Sequence, residues 1–230
     1  MSHYIEYIPI ITTIFSIYFA REIYAHYRHS RATYLLWWTI GVVAFGLGTL
    51  TESINALFGW SEMNTRLWYI VGALLGGFPL AQGSVYLLMN RKFANATTIL
   101  FVSAIVVASL CVLMSPIALP ADFAGKLSGK VFAWQWVRLF SMPINIYAAI
   151  FLIGGAVYSA IRYYAKADHQ ARFKGNIFIA IGGLLPAIGG SFTRMGHVNV
   201  LFVTELLGLV LIYVGYKIIK TNNIKVAKTA

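Results

Sequence analysis

The chain has 230 residues, of which 59% are hydrophobic and only 11% charged, and its mean hydropathy is +0.73. An average soluble domain carries about 25% charged residues, so these side chains cannot cover a water-facing surface, and a soluble globule is excluded. Disorder is excluded too, because it needs few apolar residues and many charges.

A membrane-spanning helix needs about 20 mostly apolar residues. Seven such runs follow in chain order, over 7–27, 33–58, 67–89, 95–117, 137–161, 175–194 and 198–219. Polar or basic clusters at 28–31, 61–66, 90–92, 121–130, 165–174 and 195–199 separate them. The runs are too long for barrel strands and lack two-residue alternation. The expectation is an all-α polytopic bundle of seven transmembrane helices forming a single transmembrane domain over residues 1–230. No basic segment precedes the first run, so a cleaved signal peptide is not expected.

The net charge of +11 would suggest nucleic acid in a soluble protein. In a membrane protein it is a topological signal, because basic residues collect on the cytoplasmic side, and no nucleic-acid partner follows. The first, third and fifth connections and the tail hold 13 Lys and Arg, against 5 on the other face (Arg66, Lys126, Lys130, Arg138 and Arg194). The N-terminus is therefore expected outside and the C-terminus inside, in the plasma membrane of a prokaryotic cell. Aromatic residues mark both interfaces: Trp60, Trp68, Trp134 and Trp136 outside, and Tyr24, Tyr27, Trp37, Trp38, Tyr163, Tyr164 and Tyr216 inside.

The chain also resembles itself. Ile40-Gly41 and Gly48 of the second run match Ile181-Gly182 and Gly189 of the sixth, at an offset of 141. Leu74-Leu75-Gly76 with Gly83 matches Leu206-Leu207-Gly208 with Gly215, at an offset of 132. Ile14-Phe15 and Ile17 match Ile150-Phe151 and Ile153, at an offset of 136. Helices 1–3 (about 7–89) and 5–7 (about 137–219) are then equivalent, with helix 4 (95–117) as the linker that restores direction, so the two repeats run parallel. Small residues at four-residue spacing, Gly72 and Gly76, Ala44 and Gly48, Gly155 and Ser159, Ala187 and Ser191, are expected at helix contacts.

This 3+1+3 pattern resembles the seven-helix class of SWEET sugar transporters, PQ-loop transporters and microbial rhodopsins. The resemblance covers most of the chain at the level of architecture and implies a bundle able to move or hold a small molecule. The motifs depart from the class. Pro9 and Pro143 stand where a Pro-Gln pair would be, followed by Ile10 and Ile144. The only lysine of helix 7, Lys217, lies at its end, and Glu205 occupies the middle, so no retinal pigment is implied.

Ionisable groups within spans cost about 2.5–3.5 kcal/mol each and face protein or water. Glu52 and Arg194 each lie about 30 Å from the inner surface by helical rise. The repeat aligns them within one position, which predicts a Glu52–Arg194 pair. Arg66 and Arg138 open helices 3 and 5 at a similar height, Glu205 and Asn145 lie deeper, and Gln82 is deep in helix 3. Two readings stand. One is an ion-pair network that locks the helices together. The other is an outward-facing polar cavity, floored by Glu205 and Asn145, whose surplus positive charge favours a small anionic or zwitterionic solute.

Catalysis has less support. Three of the five histidines, His26, His29 and His169, fall in connections, and no dense His, Cys or Asp cluster exists for metal or nucleophile work. No metal, cofactor or enzymatic reaction is expected, and the lone Cys111 belongs to packing. The function expected is a small-solute transporter or permease. The alternative is a non-transporting sensor or accessory subunit. The partners expected are membrane lipids, the solute, and either a second copy of the chain or another membrane subunit.

Overall fold

The structure is a computed structural model. It describes residues 2–121, 123, 125–194 and 198–229, with side chains over 4–121, 123, 125–193 and 198–222. The protein is all-α, and among the described residues seven helices are long and apolar enough to cross a membrane. All seven expected spans are present in the expected order, which makes this a multi-pass membrane protein.

Helix α1 runs Ile8–Ser30, with Pro9 in its first turn. There the missing N–H removes no helical bond, so Pro9 starts the helix and does not kink it. Arg31 ends α1 in the left-handed region at φ 53, and its N–H returns to the Tyr27 carbonyl at 2.7 Å. Helix α2, Thr33–Phe58, ends at Gly59 with φ 79. The Ser61 hydroxyl accepts from the Asn64 N–H at 3.3 Å and caps the next span.

That span, α3, covers Glu62–Leu88 but is not one regular helix. An α segment Glu62–Trp68 passes into a π-helical segment Tyr69–Leu75. Gly76 then breaks the helix at φ +22, and a second α segment, Phe78–Leu88, starts with Pro79 in its first turn. A side chain at Gly76 would run into the Gly72 carbonyl, so this turn requires glycine.

Helix α4, Arg91–Met114, is capped by Asn90, whose side-chain oxygen accepts from the Phe93 N–H at 2.9 Å. Span α5, Gln135–Tyr164, opens as a 3-10 helix (Gln135–Phe140). It continues as α helix (Ser141–Ala148), widens to π (Ala149–Gly154) and finishes as α helix (Gly155–Tyr164). Helices α6, Gln170–Arg194, and α7, Val198–Thr229, complete the chain. The helices start earlier than their apolar cores. Residues 62–66, 91–92 and 170–174, expected as connections, are helical; at the first two a polar cap, Ser61 or Asn90, and a charged first turn lie outside the apolar stretch.

The chain divides into two compact units, Met1–Ala148 and Ala149–Ala230. In the first, α1 packs on α2 and α2 on α3. Phe19, Ile23, Val42, Leu74 and Phe78 are at or near complete burial. Gly46 lets the Ser16 side chain approach the α2 backbone, and Thr13 and Thr49 hydroxyls bond at 2.9 Å. Helix α4 is the least buried of the spans, with 22% of its apolar window covered. Its exposed Val106, Val107 and Leu110 present hydrocarbon where a soluble protein would present charge.

In the second unit α6 and α7 pack along their length. Their contact is a heptad of glycines, not the expected four-residue spacing. A side chain at Gly182 would meet the Gly208 carbonyl at 2.6 Å, and one at Gly208 would meet the Gly182 carbonyl at 2.6 Å. A side chain at Gly175 would meet the Gly215 carbonyl at 2.7 Å, and one at Gly189 the Leu201 Cα at 2.9 Å. Ala187 and Ser191, expected at a contact, are exposed instead. Pro186 sits inside α6, against Gly208.

Candidate functional site

Arg66 lies one turn into α3 and is only 6% exposed. Its Nε donates to Glu62 Oε1 at 3.1 Å, and Nη2 donates to the same oxygen at 2.6 Å. Nη2 also donates to the Ser115 carbonyl at 2.7 Å, and Nη1 to the Leu113 carbonyl at 2.9 Å and to the Val112 carbonyl. A guanidinium has five N–H donors, and all five are engaged. The last carbonyls of a helix have no partner within it, and Arg66 of α3 supplies partners at the end of α4. It is the cap of a neighbouring helix, not a cation offered to a solute.

The connection after α4 completes this end of the unit. Ile117 and Phe132 form an isolated antiparallel bridge, and the Trp134 N–H bonds to the Ser115 hydroxyl at 3.1 Å. Phe132 is fully buried, edge-on to Tyr69 of α3 at 5.2 Å between centroids. Glu52 of α2 is 4% exposed. Its Oε1 accepts from the Trp68 indole N–H at 3.1 Å, and Asn64 Nδ2 donates to the neighbouring Thr51 carbonyl at 2.8 Å. Asn55 Oδ1 and Trp60 Nε1, near this end of α2, are shielded and make no hydrogen bond among the described residues. They are an acceptor and a donor where a water or a small polar molecule would be bonded.

Gln82 is fully buried in α3, below the break. Its Nε2 donates to the Ala94 carbonyl at 2.8 Å and the Thr98 hydroxyl at 2.9 Å. Its Oε1 accepts from the Tyr147 hydroxyl at 2.6 Å. Ala94 offers only an acceptor there, which fixes which way the amide points. Thr98 continues to Tyr86 at 3.2 Å and Tyr86 to Asn95 at 2.8 Å, so a chain of hydrogen bonds runs from an exposed Asn95 to a buried Tyr147. Around it the rings of Phe78, Phe101 and Tyr147 stand 4.3–5.9 Å apart. We expect Tyr147→Phe to lower stability by about 1 kcal/mol and Gln82→Leu by about 1–3 kcal/mol. The double variant should cost less than the two singles added, because they break one shared bond. Thermal unfolding of the purified protein in detergent measures all three.

Asn145 of α5 is exposed, and its Nδ2 donates to the Ala73 carbonyl at 3.4 Å. Ala73 belongs to the π segment just before the α3 break, and Gly77 beyond it lets Ala148 approach to 3.0 Å of where a side chain would begin. Arg138 is half-buried and donates to Gln135 Oε1 at 2.8 Å. Glu205 is half-buried on α7 of the second unit, with Oε2 shielded. The side chain of Arg194 lies outside the described residues, and with it the expected Glu52–Arg194 pair. Of the seven expected site residues, Asn145 marks the α3 break, Gln82 and Arg66 sit in closed networks, and Glu52 carries the Trp68 indole. The break itself was missed, although Gly76-Gly77 followed by Pro79 in mid-span was its signal.

Compared with known proteins, the chain matches no family model, no curated protein and no solved structure.

Proposed function

We propose that the protein is a small-solute permease, built as two parallel three-helix repeats about 7–89 and 137–219 with 95–117 as linker. Its N-terminus is outside and its C-terminus inside the plasma membrane. The observation that carries this reading is the interruption of α3 about midway along its length, beside an exposed Asn145. Irregular backbone at membrane depth persists only where protein covers it or where it lines a water-filled cavity. An exposed amide facing hydrocarbon would be costly, so Asn145 faces polar surroundings. Interrupted helices also bring opposite helix-end dipoles together at one depth. The C-terminal end of Glu62–Leu75 and the N-terminal end of Phe78–Leu88 do so here, which suits a zwitterionic or anionic solute.

The repeat is supported by close contacts in each unit taken separately. A side chain at Gly83 of α3 would meet the Tyr34 carbonyl of α2 at 2.9 Å, and one at Gly175 of α6 would meet the Gly215 carbonyl of α7 at 2.7 Å. The offsets of 141 and 132 carry Tyr34 to Gly175 and Gly83 to Gly215. They also carry Gly48 with its neighbour Gly72 to Gly189 with its neighbour Thr204.

The test is uptake of labelled amino acids and small carboxylates by proteoliposomes containing the full chain. Wild type is expected to exceed empty vesicles, and Asn145→Ala to lose about tenfold with little change in melting temperature. Glu205→Gln is expected to lower uptake as well, whereas equal uptake would make Glu205 structural. A second reading, a sensor or accessory subunit working with a partner membrane protein or a second copy, is favoured by the complete internal engagement of Arg66 and Gln82. It is selected if wild type moves none of these solutes and co-purifies with another membrane chain.

A further inference from the structure

We infer that the second unit carries a specific site for an anionic glycerophospholipid, with its acyl chain between α5 and α6 and its phosphate on the basic turn that joins them. The inference is independent of solute transport and needs only that these helices span a bilayer. A groove of about 420 Å³ runs between the end of α5 and the start of α6. Val157, Ala160, Ile161 and Tyr164 line one side, with Phe173 and Ala180 across. Ala160 and Ala180 are small and buried and form the floor, while Ile161 and Tyr164 are about 70% exposed and form a rim. Apart from the Tyr164 hydroxyl, these side chains offer nothing that a polar ligand could bond. Tyr164 meets Phe173 edge-on at 5.3 Å where the groove reaches the connection.

At that end the chemistry changes within one turn. Residues 162–174 carry four cations, Arg162, Lys166, Arg172 and Lys174, and a single acid, Asp168. Two of the cations are held in place by one ring. The Arg172 guanidinium lies 5.4 Å from the Tyr163 centroid and its Nη1 donates to the Tyr163 hydroxyl at 3.4 Å, while Lys166 Nζ lies 5.8 Å from the same centroid. His169 stands edge-on to that ring at 5.3 Å. Cation–π contact with one ring restricts both side chains before any ligand arrives, and the two cations flank the end of the groove in the chain, Lys166 two residues after Tyr164 and Arg172 next to Phe173. A neutral lipid or sterol would use the groove and ignore the cations. A soluble phosphate would use the cations and ignore the groove. A phospholipid with a net negative headgroup uses both, and basic pockets beside transmembrane helices bind such headgroups.

Each Lys or Arg near the headgroup contributes about fivefold in affinity, so two contribute roughly 20–30-fold. The test titrates the purified full chain with phosphatidylglycerol, phosphatidylcholine or glycerol 3-phosphate and counts bound lipids by native mass spectrometry. Phosphatidylglycerol is expected to bind at one saturable site about 20-fold more tightly than phosphatidylcholine, and glycerol 3-phosphate to compete poorly. Lys166→Ala with Arg172→Ala should erase that preference and leave phosphatidylcholine binding unchanged. Val157→Trp, at the exposed rim, should weaken both lipids by filling the groove. Lys166→Gln alone, at an exposed side chain, should remove about fivefold and serves if the double variant does not fold. Equal binding of the two lipids, a preference that survives the charge variants, competition by glycerol 3-phosphate at the lipid's own affinity, or indifference to Val157→Trp would each overturn the assignment.

Discussion

Arg66→Met is expected to lower stability by roughly 3 kcal/mol or more, from the loss of three carbonyl partners at the end of α4. Methionine keeps the unbranched apolar stem, so the loss reads the guanidinium and not the packing. The Val112, Leu113 and Ser115 carbonyls have their Arg66 bonds at a depth where the residue that serves them is 6% exposed. Water reaches them poorly once it is gone. For a chain of this size 1 kcal/mol moves the melting temperature by about 2–4 °C, so a fall of roughly 6–12 °C in detergent is expected. Lysine should recover only part of it, because a point ammonium cannot reach three carbonyls and Glu62 together. Glu62→Gln should cost under about 1 kcal/mol, since the Glu62 side chain is 55% exposed and water replaces its partner. The order Met, then Lys, then Glu62→Gln is the signature of a helix cap. An Arg66 that served a solute would leave the melting temperature near wild type in all three.

The seven spans were legible because hydropathy acts over a whole helix and depends little on which neighbour covers it. The ends were less legible. Ser61 and Asn90 cap helices five or six residues before the apolar stretch, and nothing in the hydropathy of Glu62 or Lys92 separates a first helical turn from a loop. The interruption of α3 was hidden for the opposite reason: Leu74, Leu75 and Phe78 keep the average apolar across a break that two glycines make.

Site residues followed the same division. The depth of Gln82 could be counted from the span, and it is fully buried. Its partners could not, because Ala94 offers a backbone carbonyl and Tyr147 arrives from a helix 65 residues away in sequence. Arg66 was expected near a span entrance, where it is, but as a cation for a ligand. Backbone carbonyls are what it holds, and backbone carbonyls leave no mark on a sequence. Glu52 accepts from the Trp68 indole N–H of the next span, a donor that charge counting does not rank, while its expected pairing with Arg194 falls outside the described residues.

Gly182→Ala and Gly190→Ala, eight residues apart on α6, are expected to move stability in opposite directions. Both replace glycine in a helix interior, and on helical propensity alone each should gain up to about 1 kcal/mol. A methyl at Gly190 meets nothing within 4 Å, so that gain is realised. At Gly182 the new carbon would stand 2.6 Å from the Gly208 carbonyl and 2.9 Å from the Ile212 backbone N. Backbone atoms cannot turn aside as a flexible side chain does, so α6 and α7 must separate. Overpacking of this kind costs about 1–3 kcal/mol, and helix association within a bilayer relies on such close approach because lipid removes the hydrophobic drive between helices. Gly182→Leu should prevent the pairing altogether. Gly208→Ala should cost about as much as Gly182→Ala, since each glycine faces the carbonyl of the other. The double alanine should cost less than their sum, because one separation of the axes accommodates both methyls. Melting curves of the four alanine variants and wild type in one detergent decide it. Equal shifts at Gly182 and Gly190 would mean that the heptad of glycines reflects composition, and that α6 and α7 meet through their side chains.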